Sequence, residues 1–212
     1  MKLIHPTKLC LGLTLTLAII LTSGCGPETP PESDSTSETD APEVEQTAPI
    51  EASRLYSPEA FVMAAAAGKR RVVEICLEEG LEIDGIGEQG FTPLGAASLN
   101  GHTDVVKLLI EQGASVKAQT PDGKTPLIHA SGYENPETVQ VLLDAGADVN
   151  AVDNGDGFSA LMVASQFGNI EVCKVLLAAN ADRELADRKD GETALVFATK
   201  EGHSEIIKLL TE

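Results

Sequence analysis

An all-α repeat solenoid is the fold this sequence predicts, and three observations predict it. The motif Thr92-Pro93-Leu94 returns as Thr125-Pro126-Leu127, Ser159-Ala160-Leu161 and Thr193-Ala194-Leu195, at spacings of 33, 34 and 34 residues. A terminator keeps the same step, with Gly80, Gly113, Gly146 and Asn180 at spacings of 33, 33 and 34. Two independent markers on one period are the signature of stacked supersecondary units. The third observation is compositional. The 212 residues include no Trp, five Phe and two Tyr, too few aromatics for a large central core. Stacked repeats need none, because each unit buries its apolar face only against its neighbours.

About five units follow, near 57–89, 90–121, 122–155, 156–189 and 190–212. Each is expected to open with a Thr or Ser whose hydroxyl caps a helix. Pro at the next position suits the first helical turn. A short first helix with a small face follows; Ala96, Ala97 and Ala130 let helices approach closely. The second helix carries apolar pairs such as Val105-Val106 and Leu108-Leu109, with Lys107 pointing outward. Gly113 and Gly146 then stand where a helix closes in the left-handed conformation, and Asn180 takes that place in the fourth unit. Asp-Gly at 122–123, 156–157 and 190–191 reads as the turn of a hairpin-like finger leading to the next unit. The first unit has no Thr-Pro-Leu and begins Ser57-Pro58-Glu59.

These motifs, with Val-Val-x-Leu-Leu in the second helix and Gly146-Ala-Asp-Val-Asn-Ala151 at its exit, closely resemble the ankyrin repeat over residues 57–212. Two departures stand out. The His that the resemblance leads one to expect after Thr-Pro-Leu is replaced by Gly95, Ile128, Met162 and Val196, so the bonds it gives between units must be replaced or lost. Glu134 occupies the place of Gly101 and Gly168, so the third inter-helix turn should be less ideal.

Residues 1–24 read as an export signal rather than as fold. Lys2 and Lys8 make a basic start, and Leu9 to Leu21 is an apolar run shorter than the ~20 residues a spanning helix needs. It ends Leu21-Thr22-Ser23-Gly24-Cys25, which resembles a bacterial lipoprotein signal, although Thr22 stands where that signal usually has Leu. The resemblance implies cleavage before Cys25 and lipidation of its thiol; an ordinary secretory signal or an uncleaved anchor is the alternative. Gly26 after the Cys implies the outer membrane, facing the periplasm, if the organism has two membranes. Residues 25–53 form an acidic stretch rich in Pro, Ser, Thr and Glu, with eight carboxylates and no basic side chain. Such a composition cannot bury a core and reads as a disordered tether. Fully extended it reaches ~90 Å at ~3.3 Å per residue.

The repeat domain, residues 54–212, has 13 basic and 25 acidic residues, a net of −12. That sign excludes nucleic acid and anionic lipid surfaces as partners and favours a basic protein, or simply solubility. Cys76 and Cys173 fall on second helices three units apart, too far for a disulfide, and are expected to be buried thiols. At the C-terminus Thr211 stands where Ile110 and Leu177 stand inside the array, so the final helix should fray, or be covered by a partner.

No catalytic, metal or cofactor constellation is present. His102 and His203 open second helices, His129 reads as packed, and no nucleophile motif, zinc motif or phosphate loop occurs. Asp153, Asp156, Asp187 and Asp190 lie near turns without making a calcium loop. What remains is a surface. The ankyrin resemblance implies a concave binding face built from finger tips and first helices. Mapped unit by unit, that face carries Phe91, Lys124, Phe158 and Glu192 before the capping residues. It carries Leu99 and Asn100, Gly132 and Tyr133, Gln166 and Phe167, and Lys200 and Glu201 before the inter-helix turns. Phe91, Tyr133, Phe158 and Phe167 are four of the seven aromatics; Phe61 and Phe197 are assigned to the core. The other reading is that Phe91 and Phe158 pack sideways and stiffen the fingers. The whole predicts a monomeric, membrane-anchored, non-catalytic scaffold for a protein partner. Its role is that of a helper or stabiliser, or of an inhibitor or immunity protein. A passive spacer, a small-ligand receptor and an enzyme are the rivals.

Overall fold

The computed structural model describes residues 57–212; the signal segment, Cys25 and the acidic tether lie outside the described residues. Ten helices form five pairs: α1 Pro58–Ala66 and α2 Arg70–Glu78, α3 Pro93–Leu99 and α4 Thr103–Glu111, α5 Pro126–Ser131 and α6 Pro136–Asp144, α7 Ala160–Phe167 and α8 Ile170–Ala178, α9 Ala194–Glu201 and α10 Ser204–Thr211. First helices stack on first helices and second on second, in chain order. No strand forms among the described residues; the fourth and fifth fingers carry isolated bridges, Val152 with Ser159 and Ala186 with Thr193.

Capping follows the sequence reading in the first four units, whereas Thr193, at the same place in the fifth, makes no side-chain cap bond. The hydroxyls of Ser57, Thr92, Thr125 and Ser159 accept from the amides of Ala60, Gly95, Ile128 and Met162 at 3.1–3.3 Å. Asn180 has φ 62°, the one positive value outside glycine among the described residues, in line with Gly113 and Gly146. One core runs the length of the array, from Phe61 and Cys76 through Leu94, Leu109, Leu127, Leu142, Leu161 and Leu176 to Ile206. Both Cys76 and Cys173 are buried and free. Burial pushes the Cys173 thiol up to about 11, which leaves it unreactive at neutral pH.

In three units the residue that opens the second helix bonds to the preceding unit. None of these residues caps its own helix with its side chain. Instead His102 Nε2 donates to Ala66 O at 2.9 Å, Asn169 Nδ2 to Ser131 O at 2.9 Å, and His203 Nε2 to Gln166 O at 3.1 Å. The role given up by the missing His after Thr-Pro-Leu is thus taken one helix later. The third turn departs as the sequence leads one to expect. Glu134 has no left-handed conformation, and α5 has only six residues, against seven to nine in the other first helices.

Candidate functional site: the finger and first-helix face

Three fingers are cross-braced by their own first side chain. Asp153 Oδ1 accepts from Gly157 N at 2.8 Å and Phe158 N at 3.3 Å. Asp187 Oδ1 accepts from Asp190 N at 2.9 Å and Glu192 N at 3.0 Å. Those backbone bonds hold the Asp187 carboxyl below the usual range. In the third finger Thr120 takes this place, bonded to Asp122 and accepting from Lys124 N at 3.2 Å. Adjacent fingers are linked by backbone, Asn154 N to Asp122 O at 2.9 Å and Arg188 N to Asp156 O at 2.7 Å. At Gly123 and Gly157 the chain is left-handed, and a Cβ there would run into Asn154 and Arg188 of the next finger, so glycine permits this close stacking.

The braced fingers position one row of predicted residues. Phe91 packs its ring on His129 of the next unit, centroids 5.0 Å apart, and Phe158 stands edge-on to Phe197 of the next unit at 5.2 Å. Both finger aromatics are half-buried, which matches the stiffening alternative. The second row behaves differently. Tyr133 is 55% exposed and Phe167 62%, with Asn100 and Glu201 exposed on either side of them in repeat register. Between the rows lies a cleft of about 400 Å³ lined by Leu99, Lys124, Tyr133, Phe158, Gln166 and Phe167, with Ile128, His129 and Val163 also in its wall. A second cavity of about 150 Å³ adjoins it under Phe91, Leu99 and Asn100, reaching Glu59, Val62 and Met63 of the first unit. Of the twelve residues that the sequence maps onto this face, seven therefore line one cleft, Gly132 among them, and Leu99 also borders the neighbouring one. Glu192, Lys200 and Glu201 stand apart on the fifth unit, where Lys200 pairs with Glu192.

Sequence reasoning assigns His129 to packing, and its side chain is 9% exposed. Its place in the cleft wall was not foreseen. Nε2 has no hydrogen-bond partner, a property it shares with Ser98 Oγ among the buried side chains described. Burial, with the nearby Lys124 ammonium, lowers the imidazole to about 4, so it is neutral at pH 7. On the fifth finger Asp187, Asp190 and Glu192 bring carboxylate oxygens within 4.8 Å of one another. Their turn bonds and the Lys200 pair account for that convergence. No described helix is long and apolar enough to cross a membrane.

A family model described as ankyrin repeats (3 copies) matches residues 61–153 and 150–212. No curated protein matches the chain. Helix pairs, left-handed exits and braced fingers agree with that match, which spans most of the described residues. This protein is therefore a member of the ankyrin-repeat family, whose repeats serve as protein-interaction modules.

Proposed function

We propose that this protein is a non-catalytic scaffold of the bacterial cell envelope, lipidated at Cys25, that holds a protein partner on its finger and first-helix face. One observation carries the reading: two large aromatics, Tyr133 and Phe167, stand mostly exposed beside an apolar cleft of about 400 Å³. Exposed rings over a concavity are what interface anchors look like. The basic start, short apolar run and Gly24-Cys25 pair support the anchor, with the outer membrane facing the periplasm as the site in a two-membrane cell. The net −12 of the repeat domain supports a basic partner. A single copy is taken as the binding unit.

The test is capture in the native host. The lipidated protein is crosslinked and its partners identified beside the Tyr133→Ala, Phe167→Ala double variant. We expect one partner to be lost from the variant, with helical signal and melting point retained. An envelope enzyme as that partner makes this protein a helper; a toxin makes it an antagonist. The same partners in both samples would overturn the assignment of the face, and no partner in either would leave a passive spacer.

A further inference from the structure

The cleft is one part of a longer apolar strip. The cavity of about 150 Å³ runs from Met63 to Leu99, and the cleft of about 400 Å³ continues from Leu99 past Tyr133 to Phe167. Each of the first four units thus contributes one large apolar side chain at the C-terminal half of its first helix or just past it. Met63 is as exposed as Phe167. Counted from the inter-helix turn, Met63 stands three or four residues before the places of the other three, which puts it on the same helix face. In the fifth unit Lys200 and Glu201 hold the corresponding places, so the strip stops there.

Spacing and polarity together choose the conformation of what lies on the strip. Packed helices sit roughly 8–10 Å apart, so three steps make a strip of about 25–30 Å. Seven residues of an α-helix rise about 10.5 Å in two turns, so same-face side chains at heptad spacing arrive about once per unit. Same-face residues of a strand recur every ~6.6 Å and fall out of step. A polyproline helix is also in step, since three residues rise about 9 Å, but its backbone has no internal hydrogen bonds. That backbone would find few partners here. Of the polar side chains along the strip, Glu59 is bonded to Glu88 N, Asn100 to Ala96 O and Lys124 to Asp122. An α-helix pairs its own N–H and C=O groups.

Charge selects the flanks. The two lysines mapped onto this face are already paired, Lys124 with Asp122 at 3.1 Å and Lys200 with Glu192. On the finger side Glu88 and Asp156 are exposed, and on the turn side Glu134 and Glu201, none with an ion pair among the described residues. Lys and Arg cover apolar surface with their stems while their charged ends reach for such carboxylates, and the faces of Tyr133 and Phe167 attract the same cations.

We propose that the strip takes a basic amphipathic helix of the partner, about 20 residues long, with large apolar side chains two turns apart and Lys or Arg on both flanks. This rests on the reading of this face as the partner-binding site and names the element of the partner that the face holds.

The experiment is calorimetric titration of the full-length protein in detergent with three peptides of about 20 residues. The first carries leucines in a heptad-spaced stripe among lysines. The second has the same composition with its leucines scattered around the helix, and the third is the first with glutamates for lysines. The striped basic peptide should bind and gain helical signal, and each of the others should bind at least roughly tenfold more weakly. Met63→Ala should weaken the striped peptide roughly fivefold or more, and Tyr133→Ala with Phe167→Ala should bind none, both with the protein's own helical signal retained. Val196→Ala, an exposed apolar position in the fifth unit beyond the end of the strip, should bind as the wild type does. Equal affinity for the scattered or the acidic peptide, or binding without a gain of helix, would overturn the proposal. Unchanged affinity in Met63→Ala would overturn it too, by confining the site to the Tyr133–Phe167 cleft. No binding of the striped peptide, with partner capture still lost in the double variant, overturns the helix and leaves the face in place. Binding of that peptide with capture unchanged in the double variant keeps the preference of the strip and overturns the reading of the face on which it rests.

Discussion

At position 129 a histidine stands where the fifth unit has Phe197, and each ring packs against the finger aromatic of the preceding unit. The histidine has a nitrogen that finds no partner there. Leaving a buried polar group unsatisfied costs about 1–3 kcal/mol, so His129→Phe should raise stability by roughly 1 kcal/mol at pH 7. The substitution also has a pH signature. The imidazole titrates near its ordinary value of 6.5 in the unfolded chain and at about 4 when folded, chiefly through burial. Between those values the unfolded chain binds the proton more readily. Stability from this group is complete above about 6.5 and declines as pH falls toward 4, by at most about 3 kcal/mol. Urea unfolding at a series of pH values should therefore show the advantage of His129→Phe growing as pH is lowered through that window. A constant difference would mean that the imidazole protonates freely in the folded state.

A finger is as stiff as its brace. Asp153 is 4% exposed and accepts from two amides of its own turn. Asp153→Ala should cost about 2 kcal/mol, the range of hydrogen bonds to a charged group. Amide exchange should then quicken at Gly157 and Phe158, while the cores of α4 and α6 keep their protection. Unchanged exchange at those two amides would mean that the backbone bridge between Val152 and Ser159 holds the finger without the carboxylate. The face depends on this element, because Phe158 leaves the braced turn to reach both Phe197 and the cleft.

At the scale of the whole array, position within the stack sets the importance of a residue. Met162 and Val196 hold the same place in the fourth and fifth units, yet Met162 is 1% exposed and Val196 37%, because no described unit follows the fifth. Met162→Ala should cost about 2–5 kcal/mol and Val196→Ala well under 1, read as a difference in chemical denaturation midpoints. Equal losses would mean that something covers the last unit in solution. The helix α10 extends to Thr211, whose hydroxyl donates to Ile207 O at 3.0 Å, but only one neighbouring unit supports it. Its amides should exchange faster than those of α4 and α6, as stability shared between neighbours requires.

Periodicity made the fold legible in the sequence. Each unit repeats the same local instructions, a capped short helix, an apolar second helix and a left-handed exit, so even Asn180 could be read from its register. The two rows of the face were legible for the same reason, since register assigns a residue to a row before any contact is known. Which members of a row face solvent was settled by packing between units. Phe91 and Phe158 find a ring on the following unit, whereas Tyr133, just past the short α5, and Phe167, the last residue of α7, find none. The cleft, and the unsatisfied nitrogen of His129 in its wall, exist only once units about 33 residues apart are stacked. A local pattern determines where each side chain points; tertiary stacking decides what it meets, because each contact depends on the size and polarity of a residue in another repeat.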